Sequence, residues 1–168
     1  YNSDSTKSDD VRYAAGAIYY SQNAKSLIDN EVFTIAFSRL NDYTGYSSSF
    51  SLWYWLVCLS AYLFKSIFFL RVMNILFSVL TAYYIYKLCS LLFNKKSAKF
   101  ALIIYSFNPY FVIFPLFLYK DQLIALLIVQ VFYFLYCYFI SHKKKYLVYL
   151  LTVLILFSFL RSGFVFLL

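Results

Sequence analysis

Four long apolar runs, roughly 68–93, 100–119, 122–140 and 146–168, constrain this chain more than any other feature. A helix needs about 20 mostly apolar residues to cross the hydrocarbon core of a bilayer, and each run is close to that length. Buried in a soluble domain, four such segments would need a polar shell to cover them. The chain has little to offer: 63% of its residues are hydrophobic, only 13% are charged, and the mean hydropathy is +0.70. Soluble domains carry about 25% charge. The pattern therefore predicts an all-α, polytopic transmembrane helix bundle.

The charge is unevenly distributed. Six of the seven acids (Asp4, Asp9, Asp10, Asp29, Glu31 and Asp42) precede residue 43, and Asp121 is the one acid after it. Eleven of the fifteen lysines and arginines fall in the later, apolar part. They cluster in short links between the runs, 94–99 (NKKSAK) and 141–145 (SHKKK). A basic balance can signal nucleic acid, but clusters placed between apolar segments follow topology instead, and no nucleic-acid partner is expected. Two basic links separated by two crossings lie on one side, which the positive-inside rule makes cytoplasmic. The tight turn at Tyr119-Lys120-Asp121 is then outside.

Residues 1–49 are polar and mixed, with two short helical stretches, Asp9 to Ala24 and Lys25 to Leu40, before the loop 41–49. Residues 50–66 (FSLWYWLVCLSAYLFKS) are apolar but short for a span, and Trp53-Tyr54-Trp55 suits a membrane interface. The expected organisation is a loop, 1–67, with juxtamembrane helices on the extracytoplasmic side, then a transmembrane region, 68–168. The chain begins at Tyr1 without Met and stops inside an apolar run, so further helices are expected before and after it. Cys58, Cys89 and Cys137 sit singly in apolar runs with no metal-ligand spacing, and His142 heads a lysine run.

Three places carry candidate chemistry. Asp9 and Asp10 open a helix; paired carboxylates there can hold a divalent cation or accept a proton, or simply cap the helix and answer its dipole. Asp121 lies at a membrane boundary beside Lys120; it can act as a second carboxylate or as the N-cap of the helix that follows. Arg161 falls about 22 Å along the last run, near its outer side, where it can snorkel or hold a phosphate by two hydrogen bonds. By this topology Arg71, Lys65 and Lys120 share that level. Acids and cations on one face suit a phosphate-bearing lipid and a hydroxyl nucleophile.

These residues and their order resemble the N-terminal part of the GT-C fold glycosyltransferases, multi-spanning enzymes that use polyprenyl-phosphate-linked sugars, among them protein O-mannosyltransferases, aminoarabinose transferases and bacterial oligosaccharyltransferases. Asp9-Asp10-Val11-Arg12-Tyr13-Ala14 looks like their Asp-Glu-x-x-Tyr signature, with Asp10 where Glu is usual. Leu70-Arg71-Val72-Met73-Asn74 and Ala82-Tyr83-Tyr84-Ile85-Tyr86-Lys87 resemble the next helix. Phe107-Asn108-Pro109 and Lys120-Asp121 resemble the following helix and second acidic loop. The resemblance implies a hexosyltransferase of the cell membrane, in bacteria, serving polysaccharide or cell-envelope biosynthesis on the extracytoplasmic face. It implies Asp9, Asp10 and Asp121 as catalytic residues, with Tyr13, Lys120, Arg161 and Arg71 contacting substrate. It also implies Asp9 and Asp121 as ligands where a divalent cation (Mg or Mn) is used. The partners it implies are a membrane lipid and the polyprenyl-phosphate-linked sugar donor. A transporter or flippase of lipid-linked saccharides, or a non-catalytic membrane assembly subunit, stands as the alternative.

Overall fold

The computed structural model describes residues 9–26, 31, 52–66, 68–117 and 119–160, with the backbone alone for 9–12, 52 and 114. The described residues form helices and turns with no strand: α1 (Asp9–Asn23), α2 (Leu52–Phe64), α3 (Phe68–Leu92), α4 (Lys95–Phe107), α5 (Pro109–Ile113), a 3-10 turn (Phe114–Leu116), α6 (Asp121–Ser141) and α7 (Lys144–Leu160). The expected helix Lys25 to Leu40 lies mostly outside the described residues.

Among the described residues, α3 and α6 are the two helices long and apolar enough to cross a membrane by themselves. Their 25 and 21 residues reach about 37 and 31 Å, against a hydrocarbon core about 30 Å thick. Only 11% and 17% of their most apolar windows are buried within the chain, so these are not core helices of a soluble fold. Side-chain placement on α3 is inside-out. Asn74, Ser78 and Thr81 are buried, while Ile75, Leu76, Val79, Leu80 and Tyr83 face outward. Polar groups turned inward and aliphatic groups turned outward are what a helix needs in lipid.

The crossing expected over 100–119 is interrupted. α4 begins at Lys95, where the Asn94 side chain accepts the Ser97 N–H at 2.8 Å and caps the first turn. It stops at Phe107 because Pro109 has no N–H to continue the ladder and its ring would clash with the preceding turn. Asn108 caps the new start, its Oδ1 accepting the Tyr110 N–H at 3.0 Å, with Pro109 in the first helical position. The basic link 141–145 turns at His142, whose φ of 49° places it in the left-handed region and ends α6.

α3 and α4 run antiparallel and so do α6 and α7, with α3 packed on α6. Tyr84 of α3 meets Tyr133 and Phe134 of α6 edge-on, at 5.4 and 6.0 Å between ring centroids, and Phe134 meets Tyr149 of α7 at 5.4 Å. The lysine-rich links 94–99 and 141–145 therefore share one end of the bundle, and the 117–120 turn lies at the other.

α1 and α2 form a separate pair. Tyr13 packs on Tyr54 and Tyr20 on Tyr62, each at 6.2 Å, and the Lys65 ammonium donates to the Ser21 carbonyl at 2.8 Å. The nearly constant sequence offset means that the two helices run parallel. α2 spans about 20 Å with its 13 residues, too short to cross a bilayer unaided. It docks on α3 and α7, and Phe64 stacks on Phe69 with 3.7 Å between centroids. One core cluster joins Ala17 of α1 and Trp53, Val57 and Ala61 of α2 to Leu70, Leu127, Val153 and Leu160 of the bundle.

Candidate active site

Of the candidate residues, Arg71, Lys120 and Asp121 are described at the end of the bundle away from the lysine-rich links. Asp121 is the first residue of α6, with Lys120 in the cap position. The expectation that Asp121 would itself cap this helix is corrected: the cap is one residue earlier, and no Lys120 side-chain bond closes it. The Asp121 carboxylate instead stands in the first turn of the helix, near the partial positive charge of its N-terminal end. Both Lys120 and Asp121 are half-exposed.

Arg71 is exposed on the first turn of α3. α3 and α6 are parallel, and Tyr84 faces Tyr133 and Phe134. Carried back along both helices, the same register sets Arg71 level with Lys120 and Asp121. A guanidinium, an ammonium and a carboxylate thus lie at one height, on neighbouring helices.

Tyr13 is half-buried and packs on the cluster that also takes in Leu123 and Ile124, the residues two and three places after Asp121. The cluster also takes in Leu127, Val131 and Phe134 further along α6, and α1 runs parallel to α2 with Ser21 at the Lys65 end. Asp9 and Asp10 open α1 one turn before Tyr13, but their side chains lie outside the described residues, as does the whole of Arg161. The last described residue, Leu160, is buried in the same cluster. Among the described residues no three His, Cys, Asp or Glu side chains come together as a metal site would require. A cation here would depend on Asp9 and Asp10 joining Asp121.

Two groups at this end had no signal in the apolar pattern. Asn74 is fully buried (0% exposed) and donates through Nδ2 to the carbonyls of Phe117 and Tyr119, at 2.6 and 3.2 Å. Gln122, beside Asp121, is 1% exposed. Hydropathy averaging hides single carboxamides within long apolar runs; the one available cue was a polar residue at the spacing of a buried helix face.

The α1–α2 pair has its own electrostatics. Burial pushes the Cys58 thiol up to about 12, with the neighbouring Tyr54 hydroxyl opposing the shift, and burial also raises the Tyr54 phenol. Neither group is ionised at neutral pH. This pair is packing rather than chemistry.

Residues 51–166 match the family model described as dolichyl-phosphate-mannose-protein mannosyltransferase. No curated protein and no solved structure is matched by the chain.

Proposed function

The chain belongs to the dolichyl-phosphate-mannose-protein mannosyltransferase family, a family of membrane glycosyltransferases, and on that premise we propose that it transfers a sugar from a polyprenyl-phosphate donor to an acceptor hydroxyl at the extracytoplasmic surface. What supports the reading is the family match over residues 51–166, together with Arg71, Lys120 and Asp121 at one height at one end of the bundle. The six lysines of the two links lie at the opposite end, which by the positive-inside rule is cytoplasmic.

In this mechanism the acceptor oxygen attacks the anomeric carbon of the donor. The bond between that carbon and the phosphate oxygen breaks, and its electron pair leaves with the polyprenyl phosphate. The acceptor proton passes to a carboxylate, Asp9 in our assignment, with Asp10 beside it and Asp121 as the second acid. The leaving phosphate gains negative charge as the bond breaks, and Arg71, Lys120 and Arg161 are the cations assigned to it. At the edge of a bilayer, with little water to screen them, these charges weigh more on the transition state than they would in solution.

Transfer by the full-length protein in membranes, with labelled polyprenyl-phosphate sugar, tests the reading. Asp9→Asn and Asp121→Asn each reduce transfer at least a hundredfold at equal protein level. Undiminished transfer by both variants overturns the assignment. The flippase alternative predicts movement of donor across sealed vesicles and no product in detergent, where a transferase still forms product.

A further inference from the structure

We propose that Asn74 is the positioning residue of the Lys120–Asp121 turn, acting on the reaction through Asp121; this rests on the site assignment above. Four observations carry it. Asn74 sits on the second turn of α3, at the end of the bundle that holds Asp121, and is 0% exposed. Its Nδ2 donates to two backbone carbonyls of the segment that leads into α6: Phe117 at 2.6 Å and Tyr119 at 3.2 Å. From Tyr119 the chain passes through Lys120, whose carbonyl accepts the Ile124 N–H at 3.0 Å and starts the α6 ladder, straight to Asp121. Third, among the described residues Asn74 Oδ1 and both polar atoms of the Gln122 side chain are buried with no hydrogen-bond partner.

The fourth observation is the cost of the arrangement. A buried carboxamide with an unsatisfied oxygen is worse for stability than an aliphatic side chain of similar volume. Phe117, Tyr119 and Lys120 lie outside the helices, so their backbone groups need partners from the protein wherever water is scarce. A single NH2 group answers two of those carbonyls, and one α3 residue thereby fixes the backbone immediately before the carboxylate. Ser78, one turn further along the same face, donates to the Phe111 carbonyl at 3.1 Å, so α3 holds the returning chain at Phe111 as well. Small displacements of a reacting group cost steeply, on the order of a hundredfold for about 1 Å. A residue that sets the Asp121 backbone therefore acts on turnover more than on binding.

The test compares Asn74→Leu, which keeps the branched outline of the side chain and loses both bonds, with Asn74→Gln, which keeps the donor. Both are made in the full-length protein, with sugar transfer and thermal unfolding measured together. Asn74→Leu lowers kcat per folded molecule by about 10- to 100-fold, with donor KM close to wild type and a lower unfolding temperature from the two carbonyls left without a donor, and Asn74→Gln recovers most of the loss. If Asn74→Leu does not accumulate, Asn74→Ser carries the same expectation. Unchanged kcat in folded Asn74→Leu or Asn74→Ser, with Asp121→Asn inactive, overturns this inference and leaves the site assignment standing. Loss of kcat only in proportion to loss of folded protein, without recovery in Asn74→Gln, reduces Asn74 to a structural role and overturns it too. Full activity in Asp121→Asn removes the site assignment, and this inference with it.

Discussion

The side-chain oxygen of Ser78 lies 3.2 Å from the hydroxyl of Tyr105, and the same hydroxyl donates back to the Ser78 carbonyl at 3.3 Å. This polar contact ties α3 to the helix that returns beside it. Phe111 completes it, stacking on Tyr105 at 4.4 Å while its carbonyl accepts from Ser78. Interhelical hydrogen bonds in membrane bundles contribute about 0.6 kcal/mol on average and up to about 1.7. Tyr105→Phe therefore destabilises the bundle by about 1 kcal/mol, read as a lower unfolding temperature in detergent. Ser78→Ala costs more, because it removes the donor to the Phe111 carbonyl as well. Combining the two changes costs less than the sum of both, since they share one contact.

At Gly16, α1 lies directly against the Tyr54 ring of α2. A Cβ there would run into the hydroxyl of Tyr54, which is fully buried and cannot swing aside. Alanine gains about 1 kcal/mol of helix propensity over glycine, but overpacking of this kind costs about 1–3 kcal/mol. Gly16→Ala therefore loosens the α1–α2 pair, and Gly16→Leu separates it. Limited proteolysis between α1 and α2 measures both, with faster cleavage in the order wild type, Ala, Leu.

The fold was legible in the sequence wherever one physical term dominated. Apolar length alone located α3 and α6 to within a residue, because crossing a bilayer leaves a composition that little else imitates. The break inside the next run was signalled by Asn108-Pro109, yet the run remained apolar on both sides and reads as one crossing unless the missing proline N–H is counted. The parallel pairing of α1 with α2 was not legible, since Tyr13 and Tyr54 are 41 residues apart and nothing local to either names the other. At the candidate site the charged residues stood out because charge is rare in this chain. Asn74 and Gln122 did not, because one carboxamide hardly changes the hydropathy of a long helix. What distinguishes them is burial, which appears only when the helices are packed.

Cys58 shows how that packing governs reactivity. Its thiol is buried and pushed up to about 12 from an ordinary 9.0, so at pH 7 to 8 almost none is thiolate. Maleimide labels Cys89, which is half-exposed, faster than Cys58 in the native protein, and the difference vanishes on unfolding. The folded-state value lies above the unfolded one, so the thiol's contribution is fully present below pH 9 and is lost as pH rises from there toward 12. Cys58→Ala removes that alkaline part of the stability profile and leaves a smaller cavity cost at every pH.

Sidedness is the premise on which the functional reading stands, and it can be tested without any substrate. Ser97, in the first turn of α4, and Lys143, in the link before α7, are exposed at the same end of the bundle. Three lysines, Lys95, Lys96 and Lys99, lie in the first of these segments and three more, Lys143 to Lys145, in the second. Translocating either cluster is costly, and lysine clusters of short loops stay in the cytoplasm. In a background without native cysteines, Ser97→Cys and Lys143→Cys resist a membrane-impermeant maleimide in intact cells and react once the membrane is opened. Asp121→Cys, at the opposite end, reacts without permeabilisation. Outside labelling at position 97 or 143 would invert the bundle, put Asp121 on the cytoplasmic side and end the assignment of transfer to the outer face.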